Sequence, residues 1–447
     1  MPDHNKNDRG MRRIFWFCWA ALCLIVSGSS WAETVLVAPR PVVWKHFLGV
    51  NAHLLWFAPQ QDTRQLQMLR ALGLHWVRVD LHWDRLEPEQ QQYQLQALDT
   101  VVNLLQAQQM KSVFYLVGSA PFATSAPFFL PYTDQYPPEY DRQFARRMAL
   151  LAGRYPSVSA WQIWNEPNLP AFWRPWGNAQ AYGELLQDSV RAIRQVSPDK
   201  TVVMAGMAYY SQMPMHKRLM LEQLGASGAF GLGAVVAYHP YSQFPEGDEP
   251  AAQDFILRGN LLNQRLRAAG VGRIWATEWG WSSYAGPREE QPVIGRAGQA
   301  DFVLRRLALM SAMDYDRIFL FALSDLDSRA TIRDRSYGLL DLNGQPKSVY
   351  RALARFLAAT GPMLIPAHEP VVQNPPADLY SIGWKKPDGS HVWMFWAANP
   401  VTVTLSGIGQ AMLIDPVRDE QHRLQSATGS RLLLVPVKQQ LQLLAWH

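Results

Sequence analysis

The sequence predicts a chain of the α/β class, a (β/α)8 TIM barrel followed by a small antiparallel β-sandwich domain. Two patterns carry that expectation. From Phe47 to Ala359, eight short apolar runs alternate with longer amphipathic stretches, and such alternation implies parallel strands joined by right-handed crossovers. From Gly361 onward the helical period disappears, and short alternating runs follow Pro-rich breaks at Pro362, Pro366, Pro370, Pro375 and Pro376. The 447 residues suit one large domain plus a small one, at roughly 100–200 residues per domain. With 48% hydrophobic and 18% charged residues, the chain has an ordinary globular balance. The net charge is +5. Outside the first 13 residues there is no Lys/Arg block, so no nucleic-acid partner is expected.

Residues 1–32 read as a secretory signal. Lys6, Arg9, Arg12 and Arg13 precede an apolar stretch from Ile14 to Val26, and Ser30-Trp31-Ala32 offers a small-x-small cleavage site before Glu33. The apolar run is short for a bilayer span; an uncleaved signal-anchor holding the protein at the inner membrane is the alternative. Both cysteines, Cys18 and Cys23, fall inside this segment. Leu22 stands where a lipoprotein signal has a small residue. A mature chain from Glu33 has no cysteine and is expected in the periplasm or outside the cell.

The barrel is assigned to residues 33–360. Its strands are expected at Phe47–His53, Trp76–Leu81, Ser112–Val117, Ala160–Asn165, Thr201–Ala205, Ala234–Tyr238, Arg273–Glu278 and Arg317–Ala322. Helices are expected at Thr63–Leu72, Leu98–Gln109, Arg142–Arg154, Ala179–Val196, His216–Leu224, Asp254–Ala269, Ala297–Met313 and Ser348–Ala359. The rival, a doubly wound open sheet, would want a Gly-rich phosphate turn after its first strand, and Gly49-Val50-Asn51-Ala52-His53 is not one. Residues 361–447 form the sandwich, with strands at Leu379–Trp384, His391–Ala397, Val401–Leu405, Met412–Ile414, Arg431–Val435 and Gln442–Trp446. This domain either binds sugar or braces the barrel.

Catalytic groups of such barrels lie at the C-terminal strand ends, and two strands here end in glutamate. Glu166 closes the fourth in Trp161-Gln162-Ile163-Trp164-Asn165-Glu166-Pro167-Asn168, and Glu278 the seventh in Ile274-Trp275-Ala276-Thr277-Glu278-Trp279-Gly280. A carboxylate in an apolar, Trp-rich strand end is costly without a partner or a job. Either alone could be a structural ion pair; the two together are what glycosidic cleavage uses, one as acid and the other as nucleophile or base. The acid must have its pKa raised, and the other carboxylate needs donors. Arg78, in the otherwise apolar second strand, is a candidate donor, unless it pairs locally with Asp80 or Asp84. Tyr241, in His239-Pro240-Tyr241 at the end of the sixth strand, is another, unless it is an ordinary core tyrosine.

These motifs resemble the clan of retaining (β/α)8 glycoside hydrolases with paired glutamates on strands four and seven. Trp164-Asn165-Glu166-Pro167-Asn168, together with Tyr337-Gly338-Leu339-Leu340-Asp341-Leu342-Asn343-Gly344-Gln345-Pro346-Lys347, resembles glycoside hydrolase family 39. The resemblance covers residues 41 to 360 and, more loosely, the tail. It implies Glu166 as acid/base, Glu278 as nucleophile, Asn165 as the contact to the sugar 2-hydroxyl, and Arg78, His239 and Tyr241 in support. It also implies a monomer acting on a bacterial exopolysaccharide of the biofilm matrix, mannose-containing, in association with an exopolysaccharide synthesis and export complex. One departure stands out: many clan members floor the sugar site with a Trp at the end of strand eight, where this chain has Phe321. Either Phe321 substitutes or another loop supplies the floor.

Aromatic residues cluster around both glutamates. Trp161, Trp164, Phe172, Trp173 and Trp176 surround the first, and Trp275, Trp279 and Trp281 the second. Core packing is the usual fate of a single Trp, yet Phe172, Trp173 and Trp176 lie past the strand end, and Trp173, Trp176, Trp279 and Trp281 are taken as substrate contacts. The loop from Gly118 to Tyr140, with five prolines and six Phe/Tyr residues, is far longer than the usual 2–6-residue barrel loop and reads as a wall of the cleft. Rings on several sides of the mouth favour an open groove and endo action. An exo-acting xylosidase- or mannosidase-like enzyme and a non-catalytic polysaccharide-binding barrel are the alternatives. Neither His-Glu-x-x-His, an early His-x-His, Gly-x-Ser-x-Gly nor a phosphate loop occurs, so no metal or other cofactor is expected.

Overall fold

The computed structural model describes residues 34–210, 219–286, 291–332, 334–428 and 430–447. The expected signal segment and the start of the helix expected at His216–Leu224 lie outside them. The eight barrel strands are β1 (Leu48–Asn51), β2 (Trp76–His82), β3 (Lys111–Val117), β4 (Ala160–Ile163), β5 (Thr201–Val203), β6 (Val236–Tyr241), β7 (Ile274–Trp279) and β8 (Arg317–Leu320). All neighbouring pairs run parallel, and β8 pairs with β1. Between β5 and β6 the ring closes through a parallel bridge of Val203 with Val235, with Met204 N donating to Val235 O at 2.9 Å.

The fifth barrel element is broken in two, which the apolar pattern did not reveal. After β5 the chain passes Ala205-Gly206 and forms a further strand, Met207–Tyr210, that pairs in parallel with β6. Helices flank the barrel at Pro59–Ala71, Gln96–Ala107, Asp141–Arg154, Ala179–Val196, Met220–Ala226, Asp254–Ala268, Gly295–Ser311 and Ser348–Thr360. Among the described residues no helix is long and apolar enough to cross a membrane.

The barrel interior is filled in layers. Val113, Ala160, Val203, Val235, Ala237, Trp275 and Phe319 form the floor, with Trp76 packed against them. Because successive strand residues alternate sides, Trp76, Arg78 and Asp80 climb the inner wall of β2 from the floor to the mouth.

Beyond the last helix, antiparallel strands form two sheets. In the larger one, His391–Ala397 lies between Leu379–Lys385 and Gln442–Trp446. Trp393, Phe395 and Ala397 face the smaller sheet with Val403, Leu405, Leu433 and Val435. The alternate residues Val392, Met394 and Trp396 join the barrel core. A sheet covered on both faces explains why this strand is apolar almost throughout. Strand Glu420–Gln425, absent from the sequence reading, is a polar edge strand without a buried face. One boundary is corrected: residues 34–43, assigned to the barrel, instead join this sheet. Thr34–Leu36 pairs with Leu379–Lys385, and Val42–Val43 pairs with Met363–Pro366. Their short apolar runs extend a sheet edge rather than starting the barrel.

Candidate active site

Glu166 and Glu278 meet at the barrel mouth. Each places a carboxylate oxygen within 4.8 Å of the other and of a His239 ring nitrogen. At 6% and 8% exposure both are buried, and both line one cavity with Asp80, Asn165, Phe172, Tyr241 and Phe321.

Beneath them, Arg78 is the hub, with every nitrogen of its guanidinium engaged. Nη1 donates to Glu278 Oε1 at 2.6 Å and to Asn51 Oδ1 at 2.9 Å, Nε to Gln162 Oε1 at 2.7 Å, and Nη2 to Asn165 Oδ1 at 2.8 Å. Its open face lies 3.9 Å above the Tyr115 ring centroid. The local pairing with Asp80 or Asp84 is thereby replaced by a cross-barrel one. Asp80 instead stands at the mouth between His53 and His82, at 3.9 and 3.7 Å.

His239 joins the two halves of the site. Nδ1 contacts Glu166 Oε1 at 2.7 Å and lies 3.7 Å from Glu278 Oε2, while Nε2 is 2.9 Å from Thr277 Oγ1. Gly206 makes room for this imidazole: a Cβ there would fall 1.9 Å from His239 Nε2 and 2.5 Å from Thr277 Oγ1. The Gly206 carbonyl also accepts from Glu166 N at 3.1 Å. Backbone at the β4 end is strained, with φ of 70° at Trp164 and 40° at Glu166, a left-handed region that costs about 1–3 kcal/mol per non-glycine residue and clusters at functional sites. On the other side, the Tyr241 hydroxyl donates to Glu278 Oε2 at 3.2 Å.

These surroundings drive the two carboxyls apart. Burial is the largest influence on each and disfavours the charged form. At Glu166 burial and the nearby Glu278 charge prevail over His239 and Arg78, and the pKa is raised. At Glu278 burial is outweighed by His239, Arg78 and the Tyr241 hydroxyl, and the pKa is lowered. One carboxyl is therefore poised to give a proton and the other to attack, the division that glycoside hydrolysis requires.

Phe321 takes the place expected for a floor aromatic. It lines the cavity, edge-on to Tyr337 at 5.3 Å and to His53 at 5.4 Å. Of the aromatic residues grouped around the two glutamates in the sequence, Phe172 lines the cavity. Trp173, Trp279 and Trp281, taken as substrate contacts, are corrected to core residues at 3%, 0% and 1% exposure. Trp173 packs edge-on against Trp164 and Tyr182, and Trp281 donates Nε1 to Gln243 O at 3.0 Å. Large flat side chains beside a strand end fill the space between sheet and helices. Trp176 is 68% exposed in the loop after β4, outside the cavity lining. The loop after β3 carries Phe128 and Phe129, 99% and 72% exposed, while its Asp134 reaches His82 Nδ1 at 3.1 Å.

Asn51, Gln162 and Thr277 escaped the sequence reading, because polar residues in apolar strands carry no motif until their partners are known. Among the described residues two groups have donor sets that a cation could take, namely Glu166, His239 and Glu278, and on the rim His82, Asp84 and Asp134. The guanidinium at 2.6 Å from Glu278 works against a cation at the first by like-charge repulsion.

Residues 40–293 match the family model Cellulase (glycosyl hydrolase family 5). No curated protein matches the sequence. Among solved structures, a family 39 glycoside hydrolase from the gut symbiont Bacteroides cellulosilyticus WH2 aligns with a TM-score of 0.69 at 17% identity, over 92% of this chain and 83% of that one. A monomeric beta-xylosidase from Caulobacter crescentus CB15 aligns with a TM-score of 0.60 at 16% identity, over 93% and 99%. A GH30 endoxylanase from Clostridium papyrosolvens C71 gives 0.60 at 11% identity, again over 93% and 99%. At these identities the likeness is one of fold.

Proposed function

The chain belongs to the cellulase family, glycosyl hydrolase family 5, and from that premise we propose that this glycoside hydrolase is a retaining, endo-acting enzyme of a bacterial exopolysaccharide. In the proposed reaction Glu278 attacks the anomeric carbon while Glu166 protonates the departing oxygen. Glu166 then takes a proton from the water that releases the glycosyl-enzyme. The observation that carries this reading is the carboxylate pair, with oxygens within 4.8 Å and pKa values displaced in opposite directions. Retaining enzymes hold their carboxyl groups about 5–5.5 Å apart, whereas inverting ones leave about 6.5–9.5 Å for a water.

The Trp-Asn-Glu-Pro-Asn run and the stretch from Tyr337 to Lys347 favour a family 39-like specificity. Together with the export signal they resemble the glycosyl hydrolase of the bacterial Psl exopolysaccharide biosynthesis system. On that resemblance the substrate is a mannose-containing polysaccharide of the biofilm matrix. The protein acts as a monomer outside the cytoplasm, associated with an exopolysaccharide synthesis and export complex. Endo action is supported by the aromatic side chains exposed in the neighbouring loops after β3 and β4, Phe128, Phe129 and Trp176.

Incubation with defined mannose-, glucose- and xylose-containing oligosaccharides tests the reading. The β-anomer from a β-linked substrate is expected as first product by NMR, with viscosity of the polymer falling ahead of reducing-end release. The inverted anomer would refute retention. Early monosaccharide with little viscosity loss would refute endo action and select an exo-acting xylosidase- or mannosidase-like enzyme. N-terminal sequencing of native protein is expected to begin near Glu33; an intact Ile14 would mean a membrane-anchored form.

A further inference from the structure

The end of β6 and the turn after it deliver Tyr241, Ser242 and Gln243 to the cavity, and carbonyls along this stretch accept from side chains. A buried carbonyl without a strand partner needs another donor. Here helix Gly295–Ser311, which follows the nucleophile's own strand, supplies it. Arg306, 0% exposed, donates Nη1 to Pro240 O and Nε to Pro245 O, both at 2.7 Å. Its Nη2 donates to Phe244 O at 3.1 Å and to Ser242 Oγ. The guanidinium lies against two rings, 3.5 Å from the Phe255 centroid and 5.0 Å from that of Trp281. The next residue is tied outside the barrel: Glu246 accepts from Arg305 at 2.7 Å and from Trp396 Nε1 of the C-terminal sheet at 2.8 Å.

We propose that Arg306 is a positioning residue that holds the Tyr241 phenol against Glu278 by gripping both ends of the turn 240–245, with Glu246 and Trp396 securing that turn to the C-terminal domain. A buried guanidinium is costly unless its donors are matched. A rigid planar fork with five N–H groups spans several carbonyls that a lysine, with one point of attachment, cannot reach together. The C-terminal sandwich thereby becomes a working support of the active site rather than an appended brace.

Glu278 is faced by Arg78 from β2, Tyr115 from β3, Glu166 from β4, and His239 and Tyr241 from β6. Of these, Tyr241 closes β6 inside the gripped segment 240–245. Releasing the grip weakens one donor to the carboxylate, which raises its pKa.

The test is 13C NMR titration of glutamate-labelled protein, with the Glu278 carboxyl assigned by its loss in Glu278→Gln. No substrate is involved, so the outcome is independent of the proposed specificity and of the endo mode. Tyr241→Phe is expected to raise the Glu278 pKa. Arg306→Lys is expected to raise it in the same direction by about half a unit or more, and to add nothing when combined with Tyr241→Phe. Trp396→Phe keeps the ring stacked on Tyr380 at 5.0 Å and removes only the N–H. It is expected to give a smaller shift of the same sign and serves alone if Arg306→Lys does not fold. A wild-type Glu278 titration in folded Arg306→Lys, or a shift that simply adds to that of Tyr241→Phe, would overturn the proposal. If only Trp396→Phe folds, an unchanged titration there overturns it.

Discussion

Glu166 at the end of β4 and Glu278 at the end of β7 are almost equally buried, at 6% and 8% exposure, and share one imidazole. What separates them is their remaining partners. Glu278 receives a guanidinium N–H at 2.6 Å and a phenol at 3.2 Å. Glu166 has His239 at 2.7 Å and, through its backbone, the Gly206 carbonyl. Equal burial therefore accompanies pKa shifts in opposite directions. Where donors are few, desolvation wins and the pKa rises; where they converge, the charged form is favoured and the pKa falls. The role of each residue resides in its neighbours rather than in the glutamate itself.

The most severe way to break this asymmetry is to remove one carboxylate. Glu278→Gln is expected to lower kcat by at least about 10⁴-fold, since the attacking group is lost. Glu166→Gln is expected to cost about 10²–10⁴-fold, and much less on substrates whose leaving group needs no protonation; steady-state kinetics on an activated and an unactivated glycoside of the same sugar separates the two. Equal losses on both substrates for Glu166→Gln would contradict the acid role.

Arg78→Met attacks the asymmetry at its source. In the proposed mechanism activity needs Glu278 ionised and Glu166 protonated, so the acidic limb of kcat/KM is expected to follow Glu278 and the alkaline limb Glu166. Without the guanidinium the lowered Glu278 pKa rises, and the acidic limb is expected to move up by about 1–3 pH units. Removing one partner of a buried pair also destabilises the fold by about 3–5 kcal/mol, readable in urea unfolding. An unmoved acidic limb in folded protein would restrict Arg78 to bracing.

A subtler test leaves every polar group in place. In Gly206→Ala the added methyl meets His239 Nε2, so the imidazole must move from between the carboxylates. A misplacement of this kind is expected to cost about 10²-fold in kcat, with little change in KM. Wild-type kcat would mean that His239 can shift without consequence. The smallest effect is expected from Trp176→Ala, beyond the cavity. Loss of one stacking ring is worth about 0.5–1.5 kcal/mol, a few-fold to about tenfold in KM for long oligosaccharides and none for short ones. A length-independent effect would remove Trp176 from the binding path.

The sequence by itself determined the repeating strand–helix order, the switch to antiparallel strands after Gly361, and the placement of Glu166, His239, Tyr241 and Glu278 at strand ends and of Arg78 within the second strand. These features are local. Period and strand-terminal position are written in a few consecutive residues, and a carboxylate in an apolar strand stands out against its own neighbours. Tertiary structure decided whatever depended on distant partners. Arg78 chose Glu278, 200 positions away, over Asp80 two residues on, because barrel closure brings the end of β7 across from it, while Asp80 stands at the mouth between His53 and His82. Trp173, Trp279 and Trp281 went to the core and Phe321 to the cavity, because ring placement depends on which helix packs behind each strand. Residues 34–43 joined a sheet formed by the other end of the chain. Gly206, Asn51 and Gln162 carry no sequence signal, since each matters only for the side chain it makes room for or binds across the barrel. Residue type and period identified the candidates, and closure of the barrel, which brings eight strand ends to one point, made them a site.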